Sequence, residues 1–229
     1  ENIRGFVDDS LRNTGADTLD LIQLHCPPTP VYYNPAVFEA LDRLKSEGKI
    51  RAYGVSVEKV EEGLKAIEFP GVASVQIIFN MFRQRPAELF FPRAREKNVG
   101  IIVRVPLASG LLTGKLTKDS QFGASDHRSF NRNGERFDKG ETFSGVDYRT
   151  GLAAVEELRA LFGDALPQFA LRWILMFSEV SCVIPGASRV EQAEANVRAA
   201  DLPPLTAAQI EGVRRIYDSR IKPLVHQLW

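Results

Sequence analysis

Polar side chains stand at the ends of several apolar, strand-like runs of this 229-residue sequence. His25 offers an imidazole that can orient a group or exchange a proton, and Ser56 and Gln76 offer neutral groups that can hydrogen-bond an amide. Ser188 and Arg189 open a predicted helix, and a helix start that carries an arginine suits a phosphate. A functional interpretation of these residues rests on their convergence at one ring of strand ends.

Each of these residues taken singly also has a structural explanation. A lone histidine after an apolar strand is more often a hydrogen-bonded structural residue than a catalyst. Ser188 can be only an N-cap, and Arg189 only a solvated charge. The residue types alone therefore leave both interpretations open.

The elements that must position these residues alternate between strands and helices. Strands are predicted over residues 19–24, 52–57, 74–79, 100–107 and 181–184. Helices are predicted before Gly15, from Asn34-Pro35 to Gly48, and over about 58–67, 86–98, 150–162, 166–178, 190–200 and 207–221. Such regular alternation predicts a parallel sheet with helices outside it.

Five strand–helix units fit part of a barrel better than an open nucleotide-binding sheet. A closed TIM-type (β/α)8 barrel needs eight units and ~250 residues. An open doubly wound sheet would tolerate five strands, but no strand-to-helix turn here carries its Gly-x-Gly-x-x-Gly fingerprint. The first helical pattern also has no cap before it. We therefore expect an α/β fold, an incomplete (β/α)8 barrel of about strands 4 to 8 with their helices, forming one domain over residues 1–229.

Composition narrows the classes of partner. Lys+Arg and Asp+Glu number 29 each, so no summed positive charge would draw the chain to nucleic acid or to a membrane surface. Cys26 and Cys182 are the only cysteines, which fits a reducing cytoplasm and not a disulfide framework. No run approaches the length of a membrane span. We expect a small-molecule partner and no metal, and the oligomeric state is not predicted.

Five short strings are spread over nearly the whole chain. They are LIQLH at 21–25, GVS at 54–56, VQ at 75–76, PLASGLLTGK at 106–115 and IPGASRVEQAEAN at 184–196. In this order and spacing they resemble the signatures of the aldo-keto reductase family. The resemblance implies a (β/α)8 barrel that transfers a hydride from NADPH to an aldehyde or ketone.

The resemblance assigns expected roles near the nicotinamide. His25 matches the histidine of the family's Asp-Tyr-Lys-His tetrad, which orients the substrate carbonyl. Ser56 and Gln76 match residues that hold the nicotinamide carboxamide. Arg104 stands where many members place an aromatic ring that stacks on the nicotinamide, and a guanidinium plane can also stack.

The resemblance also assigns the rest of the dinucleotide. The loop over the pyrophosphate is matched by Pro106, Leu107, Gly110 and Leu112, with charge added by Lys115. The adenosine end is matched by Gly186, Ser188, Arg189, Gln192 and Asn196. Because Ser188 and Arg189 match the 2′-phosphate site, the cofactor expected is NADP(H).

Two departures from the family pattern bear on activity. Val57 stands where the family usually has an asparagine, so one carboxamide contact is missing or supplied elsewhere. The tetrad's aspartate, tyrosine and lysine would belong to strands before Glu1, so this chain alone is expected to be inactive. Two alternatives stay open: a non-catalytic NADPH-binding regulator that resembles potassium-channel β subunits, and a barrel whose cofactor site is dead.

Two segments carry no assigned role. The irregular stretch 114–149 is either a solvated surface loop or a lid over the substrate. Trp229 either reaches the barrel mouth or packs on the barrel. The sequence does not name the carbonyl substrate.

Overall fold

A computed structural model describes residues 2–229 as an α/β fold around one parallel sheet. The five strands are β1 (Leu19–His25), β2 (Ile50–Ser56), β3 (Val72–Ile78), β4 (Gly100–Arg104) and β5 (Val180–Val183). Their order in the sheet is β1-β2-β3-β4-β5, and every neighbouring pair is parallel. The prediction of parallel strands that are neighbours in chain order is confirmed.

Helices connect and flank the strands. They are α1 (Asn2–Thr14), α2 (Pro35–Ser46), α3 (Val60–Ala66), α4 (Phe90–Glu96), α5 (His127–Phe130), α6 (Tyr148–Phe162), α7 (Leu166–Ile174), α8 (Val190–Arg198), α9 (Ala207–Ile216) and α10 (Lys222–Val225). A π-helical turn, Tyr217–Ile221, joins α9 to α10. Within residues 2–229 no helix is long and apolar enough to cross a bilayer.

Local signals explain where the first helices begin and end. The Asn34 side chain accepts a hydrogen bond of 3.2 Å from the backbone N–H of Ala36, which caps α2 as predicted. Gly15 and Gly48 follow α1 and α2 with φ of 68° and 75°, a conformation that glycine adopts without a steric penalty.

The strand ending at Leu107 was predicted three residues too long. Ordered pairing stops at Arg104, and Val105, Ala108 and Ser109 have φ of 51°, 48° and 53°. These left-handed residues turn the chain out of the sheet, a conformation that apolar side chains give no sign of in the sequence.

The strand register sets the candidate site. His25 pairs with Ser56, and Ser56 pairs with Gln76. Because residues in register on neighbouring strands point to the same face, these three side chains form one row across the carboxyl ends of β1, β2 and β3. On the next strand, Gln76 pairs with Ile102, and Arg104 ends β4 two residues later, opposite Ile78.

The two faces of the sheet differ in chemistry. On the face covered by helices, the Tyr53 hydroxyl donates to Asp42 of α2 over 2.8 Å. On the opposite face, Gln23 Nε2 donates to Ser74 Oγ over 3.2 Å, across β2. Gly54 lies between them, and a Cβ there would stand 2.3 Å from Ser74 Oγ. The hydrogen bond between Gln23 and Ser74 therefore requires glycine at this position of β2.

The outer edges of β1 and β5 have no strand partner within residues 2–229. Leu21 on β1 and Ile184 after β5 are exposed. Helix α8 has no buried residue, and its Val190 and Val197 are 70% and 73% exposed. The described part of the sheet thus has two open edges with apolar side chains beside them.

Candidate active site

Three adjoining clefts lie on the side of the sheet where the strands end. The first, which we term the mouth cleft, has a volume of about 790 Å³. It lies at the carboxyl ends of β1, β2 and β4 and under the insertion 114–149. Its lining includes His25, Cys26, Glu58, Arg104, Phe137 and Glu141.

The second and third clefts continue from the mouth cleft. The loop cleft, about 860 Å³, shares Val105, Phe137 and Glu141 with it. The outer cleft, about 310 Å³, shares Leu107, Thr113, Gly186 and Gln192 with the loop cleft. The clefts therefore form one series that runs from His25 to Arg189.

His25 is exposed at the end of β1 and lines the mouth cleft. Its imidazole makes no hydrogen bond to any part of residues 2–229. A hydrogen bond would be the ordinary reason for a structural histidine at a strand end, and the described chain provides none. The imidazole is instead free to contact a ligand.

Ser56 and Gln76 lie in the same row, beneath the clefts. Ser56 is fully buried, with its Oγ 3.4 Å from Cys26 Sγ. Gln76 is half-buried, and its Nε2 donates to Gln23 Oε1 over 2.8 Å. This bond orients the Gln76 amide and leaves its oxygen available as an acceptor.

A buried ion-pair network lies beside His25. The Arg104 guanidinium binds the Glu141 carboxylate, lies 3.3 Å from Glu58 and donates to the Val57 carbonyl over 3.0 Å. Burial alone would lower the pKa of Arg104, but Glu141 and Glu58 outweigh it and raise that pKa. A carboxylate oxygen of Glu58, a carboxylate oxygen of Glu141 and the Sγ atom of Cys26 lie within 4.8 Å of one another. The Arg104 guanidinium supplies the positive charge beside them.

This network shifts the titration of its neighbours. Burial raises the pKa of Glu58 to about 7; Arg104 opposes the shift and the Glu141 charge adds to it. Burial also raises the pKa of the Cys26 thiol to about 12, so Cys26 is a neutral thiol near pH 7. The mouth cleft thus contains a carboxyl group that changes charge near neutral pH.

The loop between 184 and 190 is fixed by its own hydrogen bonds. Gln192 Oε1 accepts from the Ser188 N–H over 2.8 Å and from Ser188 Oγ over 3.0 Å. Asn196 Nδ2 donates to the Gly186 carbonyl over 3.4 Å. These bonds close the turn that precedes α8 and set the amino end of that helix toward the loop and outer clefts.

Lys115 and Arg189 both line the outer cleft and both are exposed. Neither has a carboxylate within 4.0 Å in residues 2–229, whereas Arg104 has two. Two cations without internal partners at one cleft suit an external anion.

The predicted site residues are otherwise placed as follows. Pro106, Leu107 and Gly110 line the loop cleft, and Gly110 has φ of 98°. Leu112 is fully buried in the core, so its side chain does not reach the clefts. The Arg104 guanidinium is held by carboxylates, so a stacking role for it stays a prediction.

Several residues that line the clefts or bind a side chain of the predicted row were not predicted. Gln23 and Cys26 had a usable signal, because Gln23 is two residues before His25 on the same strand face and Cys26 follows it directly. Glu58 lies two residues after Ser56 and had the same kind of signal. Glu141 and Asp138 lie in the irregular insertion, where no periodicity indicates which side chains point inward.

Comparison with known proteins decides the family. The sequence signature of the Aldo/keto reductase family matches residues 1–218, nearly the whole chain. The chain belongs to the aldo-keto reductase family. The resemblance inferred from the five short strings is confirmed.

Individual aldo-keto reductases agree with this assignment. The chain is 28% identical over 204 residues to the NADH-specific methylglyoxal reductase of Escherichia coli, covering 88% of this chain and 60% of the relative. It is 27% identical over 222 residues to the aldo-keto reductase yakc of Schizosaccharomyces pombe, whose name specifies NADP(+), covering 95% and 62%. The holo form of an aldo-keto reductase from Bacillus halodurans superposes with a TM-score of 0.72 at 28% identity, covering 93% and 66%. The chain thus spans about 60% of the length of these curated relatives.

Proposed function

We propose that the complete protein reduces an aldehyde or ketone to the alcohol, with NADPH as the hydride donor. The observation that carries this proposal is the series of adjoining clefts, which begins at His25 and ends at the unpaired cations Lys115 and Arg189. A nicotinamide dinucleotide is an elongated ligand that carries a neutral carboxamide at one end and phosphates toward the other, so it needs a series of clefts that ends at cations.

The residues present fit a nicotinamide dinucleotide. Gly110 has a backbone conformation that a side chain would strain, and a Cβ at Gly186 would meet no atom within 4 Å, so the backbone at Gly186 is open to a ligand. Lys115 would face the pyrophosphate, and Ser188 and Arg189 the 2′-phosphate. Asn196 would face the adenine. When bound, the cofactor supplies the hydride.

The chain's own residues would orient the reaction at the mouth cleft. The oriented amide of Gln76 would bind the nicotinamide carboxamide and fix which ring face is presented, and the fully buried Ser56 would join it only where the carboxamide reaches beneath the cleft. His25 would hold the substrate carbonyl in line. Val57 is fully buried and its carbonyl accepts from Arg104, so it does not replace the amide of the family's asparagine.

The preference for NADPH over NADH rests on Arg189. Its guanidinium is exposed beside Ser188 and has no carboxylate partner in the part of the chain that the structure describes. A phosphate binds such a group through charge-assisted hydrogen bonds, whereas the 2′-hydroxyl of NADH gains much less from it.

We further propose that the sheet is part of a (β/α)8 barrel, about strands 4 to 8, within one domain. The two open edges and the apolar side chains beside them support further strands and helices there. Those elements would contribute the tyrosine that protonates the substrate oxygen, so this chain alone would be inactive. We propose a cytoplasmic location from the cysteine content.

Carbonyl-dependent consumption of NADPH by the complete protein tests this function. Over a panel of aldehydes and ketones, we expect turnover with NADPH, and slower turnover with NADH at the same concentration. Tight NADPH binding without turnover would favour the regulatory alternative, and absence of nucleotide binding would show that the cofactor site is dead.

A further inference from the structure

Trp229 lies beneath the insertion that covers the mouth cleft. The residue is 5% exposed, and its indole Nε1 donates to Asp138 Oδ1 over 2.8 Å. The guanidinium of Arg83 lies 4.0 Å from the centre of the indole ring. Trp229 therefore joins the β3–α4 connection to the segment 138–145 of the insertion.

Arg83 depends on this contact to an unusual degree. Its side chain is 2% exposed and forms no salt bridge within residues 2–229. Its Nη2 donates one hydrogen bond, to the Ser144 carbonyl over 3.3 Å, and its Nε has no hydrogen-bond partner. The face of an indole ring attracts a cation, so Trp229 supplies the favourable contact that a carboxylate usually provides.

Segment 138–145 fits closely around these two side chains. A Cβ at Gly140 would stand 2.2 Å from Arg83 Nη2, and a Cβ at Gly145 would stand 2.5 Å from an indole carbon of Trp229. Ser144 Oγ accepts from Asn80 Nδ2 over 2.8 Å. The segment has little freedom to shift while the indole is in place.

The same short segment carries a wall of the mouth cleft. Glu141 binds Arg104 and lines the cleft with His25, and Phe137 precedes the segment by one residue and lines the mouth and loop clefts. A movement of segment 138–145 would therefore change the cleft at a distance from Trp229.

The chain that presents Trp229 is itself anchored. His226 accepts or donates a hydrogen bond with the Tyr217 hydroxyl at 2.8 Å through Nδ1 and lies 3.2 Å from Glu88 through Nε2. These contacts hold α10 against the segment before α4, so the indole has a fixed platform.

We propose that Trp229 is a positioning residue: by seating on Arg83 and binding Asp138, it fixes segment 138–145 so that Glu141 and Phe137 form the wall of the substrate cleft. The proposal rests on the proposed carbonyl reduction for its kinetic consequence alone. The positional consequence is independent of any activity.

The test compares Trp229→Ala, Trp229→Phe and the control Leu228→Ala, an exposed apolar neighbour, in the complete protein. Hydrogen exchange should quicken about tenfold or more in the amides of 138–145 of Trp229→Ala, with those of β1–β4 unchanged. The KM for the carbonyl should rise about fivefold with kcat changed less than about twofold. Trp229→Phe keeps an aromatic ring for Arg83 but loses the indole N–H, so it should lie between wild type and Trp229→Ala.

Two results would overturn the proposal. One is exchange over 138–145 that is the same in Trp229→Ala as in Leu228→Ala. The other is faster exchange throughout the sheet, which would mean a purely structural tryptophan. If wild type shows no turnover, the proposed function fails, and the exchange measurement still decides the role of Trp229.

Discussion

The mouth cleft and the outer cleft use their arginines in opposite ways. Arg104 is 6% exposed and is bound by Glu141 and Glu58 of its own chain. Arg189 is exposed and has no carboxylate within 4.0 Å in residues 2–229. Arg104 ends β4 and Arg189 precedes α8, on the same side of the sheet. The two residues are of the same type, so the difference between them comes from their surroundings.

The difference shows how a charged residue at a cleft is to be interpreted. A buried guanidinium must be neutralised internally, since removing a charge from water is costly. An exposed cation can stay unpaired and is then available to an external anion. We therefore interpret Arg104 as a residue that organises the cleft, and the exposed Arg189 supports the proposal that it binds the nucleotide.

Replacement of Arg104 should produce the largest effect on stability. Arg104→Met leaves Glu58 and Glu141 buried near each other without a counter-ion, which should cost roughly 3 to 5 kcal/mol of unfolding free energy. Urea unfolding of the complete protein measures this loss.

The control for Arg104→Met removes the carboxylates as well. Glu58→Gln and Glu141→Gln added to Arg104→Met should restore much of the stability, because no unpaired charge remains. A loss below about 1 kcal/mol in Arg104→Met alone would show that the pairs act as surface salt bridges.

Replacement of His25 should have the largest effect on catalysis. If His25 orients the carbonyl, His25→Ala should lower kcat/KM by roughly 100-fold, while NADPH affinity stays nearly constant. Steady-state reduction, nucleotide titration and thermal melts on both proteins measure these quantities. Unchanged kcat/KM per folded molecule, with a lower melting temperature, would make His25 a structural residue.

Glu58 should make the stability of the folded protein depend on pH, with an effect smaller than those of Arg104 and His25. Its pKa is about 7 in the folded protein against an ordinary 4.5, so the folded state binds the proton more tightly than the unfolded state. That stabilising contribution is complete below about pH 4.5 and is lost as pH rises through about 7.

We expect Glu58→Gln to remove this pH dependence. Wild type should lose on the order of 1 kcal/mol more stability than Glu58→Gln between about pH 5 and pH 8, because only wild type has a carboxyl group that binds its proton more tightly in the folded state. Urea unfolding at several pH values measures it. Parallel pH profiles for the two proteins would show that Glu58 does not titrate in this range.

Much of the fold followed from the sequence because its signals are local. The Asn34 cap, the glycines after α1 and α2 and the alternation of strands and helices each report on a few neighbouring residues. The row of His25, Ser56 and Gln76 was predictable because each residue lies at or near the end of a strand that the local pattern predicts, and the strand ends of a parallel sheet converge.

The charge network and the insertion could not be predicted. Whether Arg104 meets a cofactor or a carboxylate depends on where Glu141 lies, and Glu141 is 37 residues away in a segment without periodicity. Trp229 likewise meets Asp138 across 91 residues. Contacts of this kind depend on how the irregular segment packs, for which the sequence contains no repeating pattern.

Nucleotide titration of Arg189→Ala tests the central claim most directly, with Lys115→Ala as the matched control from the same cleft. In the complete protein, loss of the 2′-phosphate contact should weaken NADPH binding by about 1.5 to 3 kcal/mol, roughly 10- to 100-fold, and leave NADH binding nearly unchanged. Lys115→Ala should weaken both nucleotides alike, because both have the pyrophosphate. Equal losses for NADPH and NADH in Arg189→Ala would contradict the assignment of Arg189 to the phosphate and, with it, the proposed preference for NADPH.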